Sequence, residues 1–353
     1  SEKTRARVLA AAAELGFQPT RRRSRPHGLV GIVTNELGNG FTARMVQGAL
    51  NALQASGARV LIAPCDLERL PEMSTTDLAR WLGLHGVHGM IVVAHTVRTL
   101  AALRAGSLPT VLCYSYSERG ELPSVLPDDF DGARRVMRHL TGLGHRTIAL
   151  VNGPADWKAC RDREDGYRAA LTEVGEAVRP DLISTGGWGV EDGYRRARAL
   201  LQHEAGISAI FAANDWLAIG AMDAVREGGL RVGRDVAVVG FDDREAAALV
   251  RPPLTTVRLP LEEMGETAAR MLIDTLSSLS RRRSAVQGGE GYGGEVAEHD
   301  ASRPHSVESE SHGQAVRSAP APPGYASAVM IPCRLVVRSS CGARLGVEKA
   351  APS

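Results

Sequence analysis

From Leu29 to Leu276 the chain alternates short apolar runs with stretches whose apolar residues recur at helical spacing. The runs LVGIV, ARVLIA, GMIVV, TVLCY, TIALV, AIFAA and VAVVGF are rich in branched side chains and bounded by Gly, Pro or Asp. That is the pattern of strands buried on both faces. Between them, ARMVQGALNALQASG, GARRVMRHLTGLG and AIGAMDAVREGGL carry helical periodicity and a glycine near the end, where a helix stops. Regular alternation of strand and helix predicts an α/β fold with parallel sheets and helical crossovers. These units outnumber what one sheet usually carries, so two sheets side by side are expected, with a boundary near LPDDFDGARR.

The pattern fails after Leu276. Across residues 278–325, Gly, Ser, Pro, Glu and His dominate and aliphatic residues nearly vanish. A segment of this composition buries too little apolar surface to offset its ordering entropy, and it reads as a disordered insertion. AVMIPCRLVV after it reads again as a strand.

Composition narrows the class. With 353 residues and 44% hydrophobic content the chain is long enough for two domains of typical size. No apolar run approaches the roughly 18 residues of a membrane span and no signal peptide precedes the first strand, so a soluble cytoplasmic protein is expected. A formal charge of +2 confines any nucleic-acid contact to a local cluster, and Arg21, Arg22, Arg23 and Arg25 form one. The five cysteines have neither CxxC spacing nor a dense framework, which fits free thiols in a reducing compartment. Gly38, Gly40 and Ala43 formally match a dinucleotide fingerprint, yet TNEL separates them from the strand that should lead straight into the first glycine. With no metal cluster and no nucleophile beside a base, the expectation is a binding protein without a cofactor rather than an enzyme.

Four strand ends gather polar groups. Asn214 and Asp215 follow AIFAA, Asp242 and Asp243 follow VAVVGF, Arg163 begins a helical pattern after TIALV, and Trp188 lies among glycines in STGGWGVEDGY. Taken singly, each polar residue has an ordinary explanation as a helix cap or an ion pair, and Trp188 as core. Ligands of parallel sheets, however, gather at the carboxyl ends of the strands. An amide, a carboxylate, a guanidinium and an indole converging there make a polar pocket with one flat wall, suited to a sugar's hydroxyls and its apolar ring face.

The stretches SEKTRARVLAAAAELGFQP, GLGHRTIALVNGP, REDGYRAAL, FAANDWLAIGAMDAVREGGLRVGRDVAVVGFDD and RPPLTTVRLPLEEMGETAARML together resemble the lactose-repressor and galactose-repressor family of bacterial transcription regulators. The resemblance implies two Rossmann-like subdomains of the periplasmic-binding-protein type, joined by three crossovers: 29–127 plus 258–277, and 128–257 plus 326–341. It implies a small-molecule effector, a sugar, contacted by Arg163, Asn214 and Asp242 and stacked on Trp188. Phe41 would line the first subdomain's wall, although Asn39, Gly40 and Phe41 stand where the family commonly has Asn-Pro-Phe-Phe, and Asp128, near a crossover, would either contact the effector or serve a structural role. Residues 1–19 resemble the third helix of a helix-turn-helix domain, with the base-reading helix expected ahead of it, and 20–28 form a basic linker whose arginines would touch the DNA backbone. Pro26 and the lack of a leucine set that linker apart from the family's hinge helix. The implied function is an effector-controlled, homodimeric repressor of sugar-utilisation genes that binds operator DNA. A sugar-binding protein of a transport system is the alternative, since it would share the core.

Overall fold

The computed structural model describes Thr4, Arg7 and residues 28–38, 40–65, 75–94, 108–117, 120–204, 206–288 and 328–343. Thr4 and Arg7 are helical. The rest of the expected helix-turn-helix segment, and Arg21, Arg22, Arg23 and Arg25, lie outside the described residues.

Two parallel sheets form, as the alternation predicts. The first contains β1 (Leu29–Thr34), β2 (Arg59–Pro64), β3 (Val87–Val93), β4 (Thr110–Cys113), β5 (Ser124–Asp128) and β11 (Ala328–Pro332), in the order β11-β5-β4-β3-β1-β2. The second contains β6 (Ile148–Val151), β7 (Ile183–Ser184), β8 (Ala209–Ala212) and β9 (Ala237–Val239), in the order β7-β6-β8-β9. A short antiparallel pair, β10 (Thr256–Arg258) with β12 (Arg334–Val336), lies beside them. The chain leaves the first sheet after β5, returns after β10, and crosses once more between β11 and β12.

The helices flanking the sheets are α1 (Gly40–Ala55), α2 (Thr75–Leu84), α3 (Asp129–Gly142), α4 (Lys158–Glu173), α5 (Val190–His203), α6 (Asp215–Glu227), α7 (Glu245–Leu249) and α8 (Leu261–Gly288). In α1, Phe41, Met45, Ala49 and Leu53 are buried, and their four-residue spacing keeps them on one face of a 3.6-residue helix. That face packs on α8, which presents Leu261, Met264, Ala268 and Leu272. Glycine lets the two backbones approach: a Cβ on Gly265 would collide with the Met45 carbonyl, and one on Gly48 with the Glu262 carbonyl. The second subdomain repeats the device, with Gly220 against the Val190 carbonyl and Gly193 against Leu217 at the α5–α6 contact.

An exposed Gly→Ala change inside a helix normally stabilises by about 1 kcal/mol. Gly265→Ala should instead lower stability by about 1–3 kcal/mol, the cost of overpacking. Urea unfolding reads the sign; an unchanged or raised midpoint would mean that α1 and α8 do not touch this closely.

Three boundaries differ from the sequence reading. Residues 326–341 were expected in the second subdomain as one strand, but the chain splits at Cys333. Ala328–Pro332 pairs in parallel with β5 of the first sheet, from Ala328 opposite Ser124 to Pro332 opposite Asp128, and only the part after it reaches β10. β11 is an edge strand, with Ile331 buried near its end and Val329 exposed. β5 itself, SVLPD, extends the first sheet through Asp128, one residue past the expected boundary, and its proline hid it from a search for unbroken apolar runs. Lastly, the expected insertion at 278–325 begins later, because α8 continues to Gly288. Leu, Arg, Ala and Gln are good helix formers, and Arg281 and Arg282 extend the helix with exposed side chains; composition without apolar residues excludes a core, not a helix. Residues 289–327 lie outside the described residues.

Candidate effector cleft

A cavity of about 620 Å³ opens between the two subdomains. Its first wall is the start of α1, with Gly40, Phe41 and Arg44, joined by Leu261 of α8. Trp216 on α6 and the segment from Asp242 to Ala246, with Leu249, form the opposite wall. Of the six effector residues expected from the sequence, Phe41 and Asp242 line this cavity. Arg163, Asn214, Trp188 and Asp128 are not among its lining residues.

The strand-end geometry explains Asp242. β9 ends at Val239, and the Asp242 N–H donates to the Val257 carbonyl at 2.8 Å, which fixes the turn beside β10. Asp242 and Asp243 both take positive φ, 115° and 55°, a conformation uncommon for residues other than glycine and most accessible to Asp and Asn among them. Asp243 turns away into a clamp, accepting from Arg258 Nε and Arg338 Nη2, each at 2.6 Å. Burial raises its pKa, but Arg338 and Arg258 lower it further, so Asp243 titrates below the ordinary carboxylate range. Asp242 Oδ2 accepts from Arg244 Nε at 3.2 Å, and its Oδ1 lies 3.9 Å from Arg163 Nη1.

Arg163 sits behind Asp242, 2% exposed. Its Nε and Nη2 donate to Asp129 Oδ1 at 2.9 and 2.8 Å, Nη1 donates to the Ala213 carbonyl, and the guanidinium lies 3.9 Å over the Phe241 ring. Asp129, buried opposite it, has its pKa pushed up to about 6 by desolvation, with Arg163 pulling the other way. The arginine thus links the first turn of α3, the end of β8 and the Asp242 turn.

Asn214 caps α6: Oδ1 accepts from the Leu217 N–H at 2.7 Å, while Nδ2 donates to the Trp188 carbonyl at 3.2 Å. The Trp188 ring occupies the space a side chain on Gly153 would need and lies 5.4 Å from the Trp157 ring. Its Nε1 is buried with no hydrogen-bond partner among the described residues. Asp128 caps α3 by accepting from the Asp131 N–H at 2.9 Å.

Among the cavity residues that sequence reasoning missed are Arg44, Trp216 and Arg244. Trp216 follows directly on Asn214-Asp215 and Arg244 on Asp242-Asp243, so each adjoins a polar pair at a strand end. The signal was adjacency to a strand end, and what it lacked was the direction of each side chain.

Asp215 is the buried counterpart of Asp242. Its Oδ2 accepts from the Arg244 N–H at 2.7 Å and its Oδ1 from Thr256 Oγ1 at 2.5 Å. Desolvation first, then the negative charge of Asp242, push its pKa up from 3.8 to about 8. In the folded protein Asp215 therefore keeps a proton that the unfolded chain gives up near pH 4. Its contribution to stability is full below that point and is lost as pH rises through about 8. Asp215→Asn should flatten this dependence, presenting its oxygen to the Arg244 N–H and its amide to Thr256. Urea midpoints measured from pH 5 to pH 8, as roughly bracketed by those two values, should diverge, the wild type falling relative to the variant; parallel curves would contradict the assignment.

Comparison with known proteins places this geometry. A family described as a periplasmic binding protein-like domain matches residues 137–288. An uncharacterised HTH-type transcriptional regulator from Streptomyces limosus is 37% identical over 298 residues, covering 80% of this chain and 82% of that protein. The lactose operon repressor of Escherichia coli K12 is 31% identical, covering 82% of this chain and 79% of its own length. Among solved structures, a complex of the transcriptional regulator CelR with cellobiose superposes with a TM-score of 0.62 at 26% identity, covering 96% of this chain and 91% of that one. No helix among the described residues is long and apolar enough to cross a membrane. On this extent of identity the chain belongs to the lactose-repressor family of HTH-type transcriptional regulators.

Proposed function

We propose that this protein is an effector-controlled repressor of sugar-utilisation genes, with a sugar bound between its subdomains. The observation that carries the reading is the cavity of about 620 Å³ with a ring in each wall, Phe41 and Trp216, and the Asp242 carboxylate in the second wall. Aromatic faces suit the apolar face of a pyranose, and a carboxylate suits its hydroxyls. The relatives support it: one is named for the lactose operon, and another was solved with cellobiose.

In this reading Phe41 and Asp242 touch the effector directly. Arg163 and Asn214 hold the second wall in shape, Trp188 stands behind Asn214, and Asp128 acts as a cap at the crossover. Operator DNA is bound by a homodimer, whose two-fold symmetry matches paired half-sites, with the Arg21, Arg22, Arg23 and Arg25 cluster on the phosphates. Sugar in the cleft favours one arrangement of the subdomains and DNA the other, a reciprocal coupling of typically about 1–3 kcal/mol. The protein acts as a binder without turnover and works in the cytoplasm, where its five free cysteines stay reduced.

A thermal-shift screen against neutral mono- and disaccharides, sugar phosphates and nucleobases tests the reading. Melting should rise with concentration of at least one sugar, as binding to the folded state requires. A response to nucleobases alone, or to none of the panel, would overturn the sugar assignment.

A further inference from the structure

Arg244 is the charged side chain that reaches from the second subdomain to the first across the cleft. Its guanidinium lies 4.2 Å over the Phe41 ring and 5.6 Å from the Trp216 ring, and its Nε donates to Asp242 Oδ2 at 3.2 Å. The side chain is 29% exposed. Its backbone is pinned by the Asp215 contact at 2.7 Å, so the side chain alone is free to leave. Each group that would hold a pyranose here, two aromatic faces and a carboxylate oxygen, is already in contact with this one cation. A guanidinium over an aromatic face is attracted by the ring quadrupole, more strongly where water is scarce.

We propose that Arg244 is a built-in occupant of the cleft and the residue that sets which ligands displace it. A ligand must offer, in one rigid body, an apolar face for Phe41 and Trp216 and a hydroxyl donor for Asp242. Pyranose rings do so, whereas small polyols lack the face and planar apolar rings lack the donor. The same contact ties Phe41 of one subdomain to Asp242 of the other, so displacement also releases a link across the cleft. The inference rests on the reading of this cavity as a sugar site.

The test has one arm with sugar and one without. Calorimetric titration with maltose and with cellobiose, two glucose disaccharides that differ in linkage, compares wild type with Arg244→Ala and Arg244→Lys. Removing the competitor should tighten binding of the preferred disaccharide about threefold to thirtyfold, the span of a cation–π contact from exposed to desolvated, with lysine between. Weaker or unchanged binding by Arg244→Ala at wild-type melting temperature would overturn the proposal. Without sugar, acrylamide quenching of Trp216, read as the difference between each protein and its Trp216→Phe counterpart, should increase in Arg244→Ala. Unchanged quenching would show that Arg244 does not cover the slot. If quenching increases while neither these disaccharides nor any sugar of the thermal-shift panel binds either protein, the occupant is right and the sugar reading is wrong.

Discussion

Arg163→Ala should cost about 3–5 kcal/mol of stability, the loss expected when one partner of a buried ion pair is removed. The residue lies in the second turn of α4, the helix that follows β6, and by type alone it suits a ligand contact, in which case affinity would fall and folding would survive. The geometry favours the opposite. Three of its donor contacts go to protein acceptors, Asp129 twice and the Ala213 carbonyl once. Its loss would leave Asp129 buried, with only its raised pKa as relief. Arg163→Lys should be intermediate, since an ammonium cannot reproduce the planar fork that spans these partners. Urea unfolding beside calorimetry separates the readings: wild-type stability with weakened sugar binding in Arg163→Ala would make it a ligand contact.

Asp242→Asn should weaken sugar binding by about 1.5–3 kcal/mol, the worth of hydrogen bonds to a charged group. Asparagine is the choice because it retains the shape and tolerates the positive φ of 115° at this position. Folding should not suffer as with Arg163. Neutralising Asp242 removes the repulsion that helps to keep Asp215 protonated, so the variant should lose less stability than the wild type as pH rises toward 8, as far as this linkage reaches. Calorimetric titration against the sugar found in the screen gives the affinity. Undiminished affinity would remove Asp242 from the site.

The alternation of strand and helix was legible because it depends on local periodicity, and the core of α1 can be read directly from Phe41, Met45, Ala49 and Leu53. The strand-end rule pointed to Asp242 and the family resemblance to Phe41, and both line the cavity. What escaped depended on contacts distant in sequence. Arg163 finds its partner 34 residues earlier in Asp129, whereas the family resemblance drew attention to Asp128, which caps α3. AVMIPCRLVV looks like one strand, and its division between two sheets follows from the crossover at Cys333, which no local pattern encodes. Trp188 was the indole of choice among its glycines, but it packs on Gly153 and Trp157, and the cavity's indole is Trp216. Side-chain direction at a strand end is set by the turn, and the positive φ of Asp242 and Asp243 cannot be inferred from their identity.

The central claim is that one ligand is held by both subdomains at once. Hydrogen–deuterium exchange with and without the sugar selected by the screen tests it most directly. The amides of 40–44 at the start of α1 and of 242–249 across the cleft should both be protected, in proportion to site occupancy. Protection confined to one subdomain, or lying away from both segments, would contradict the account.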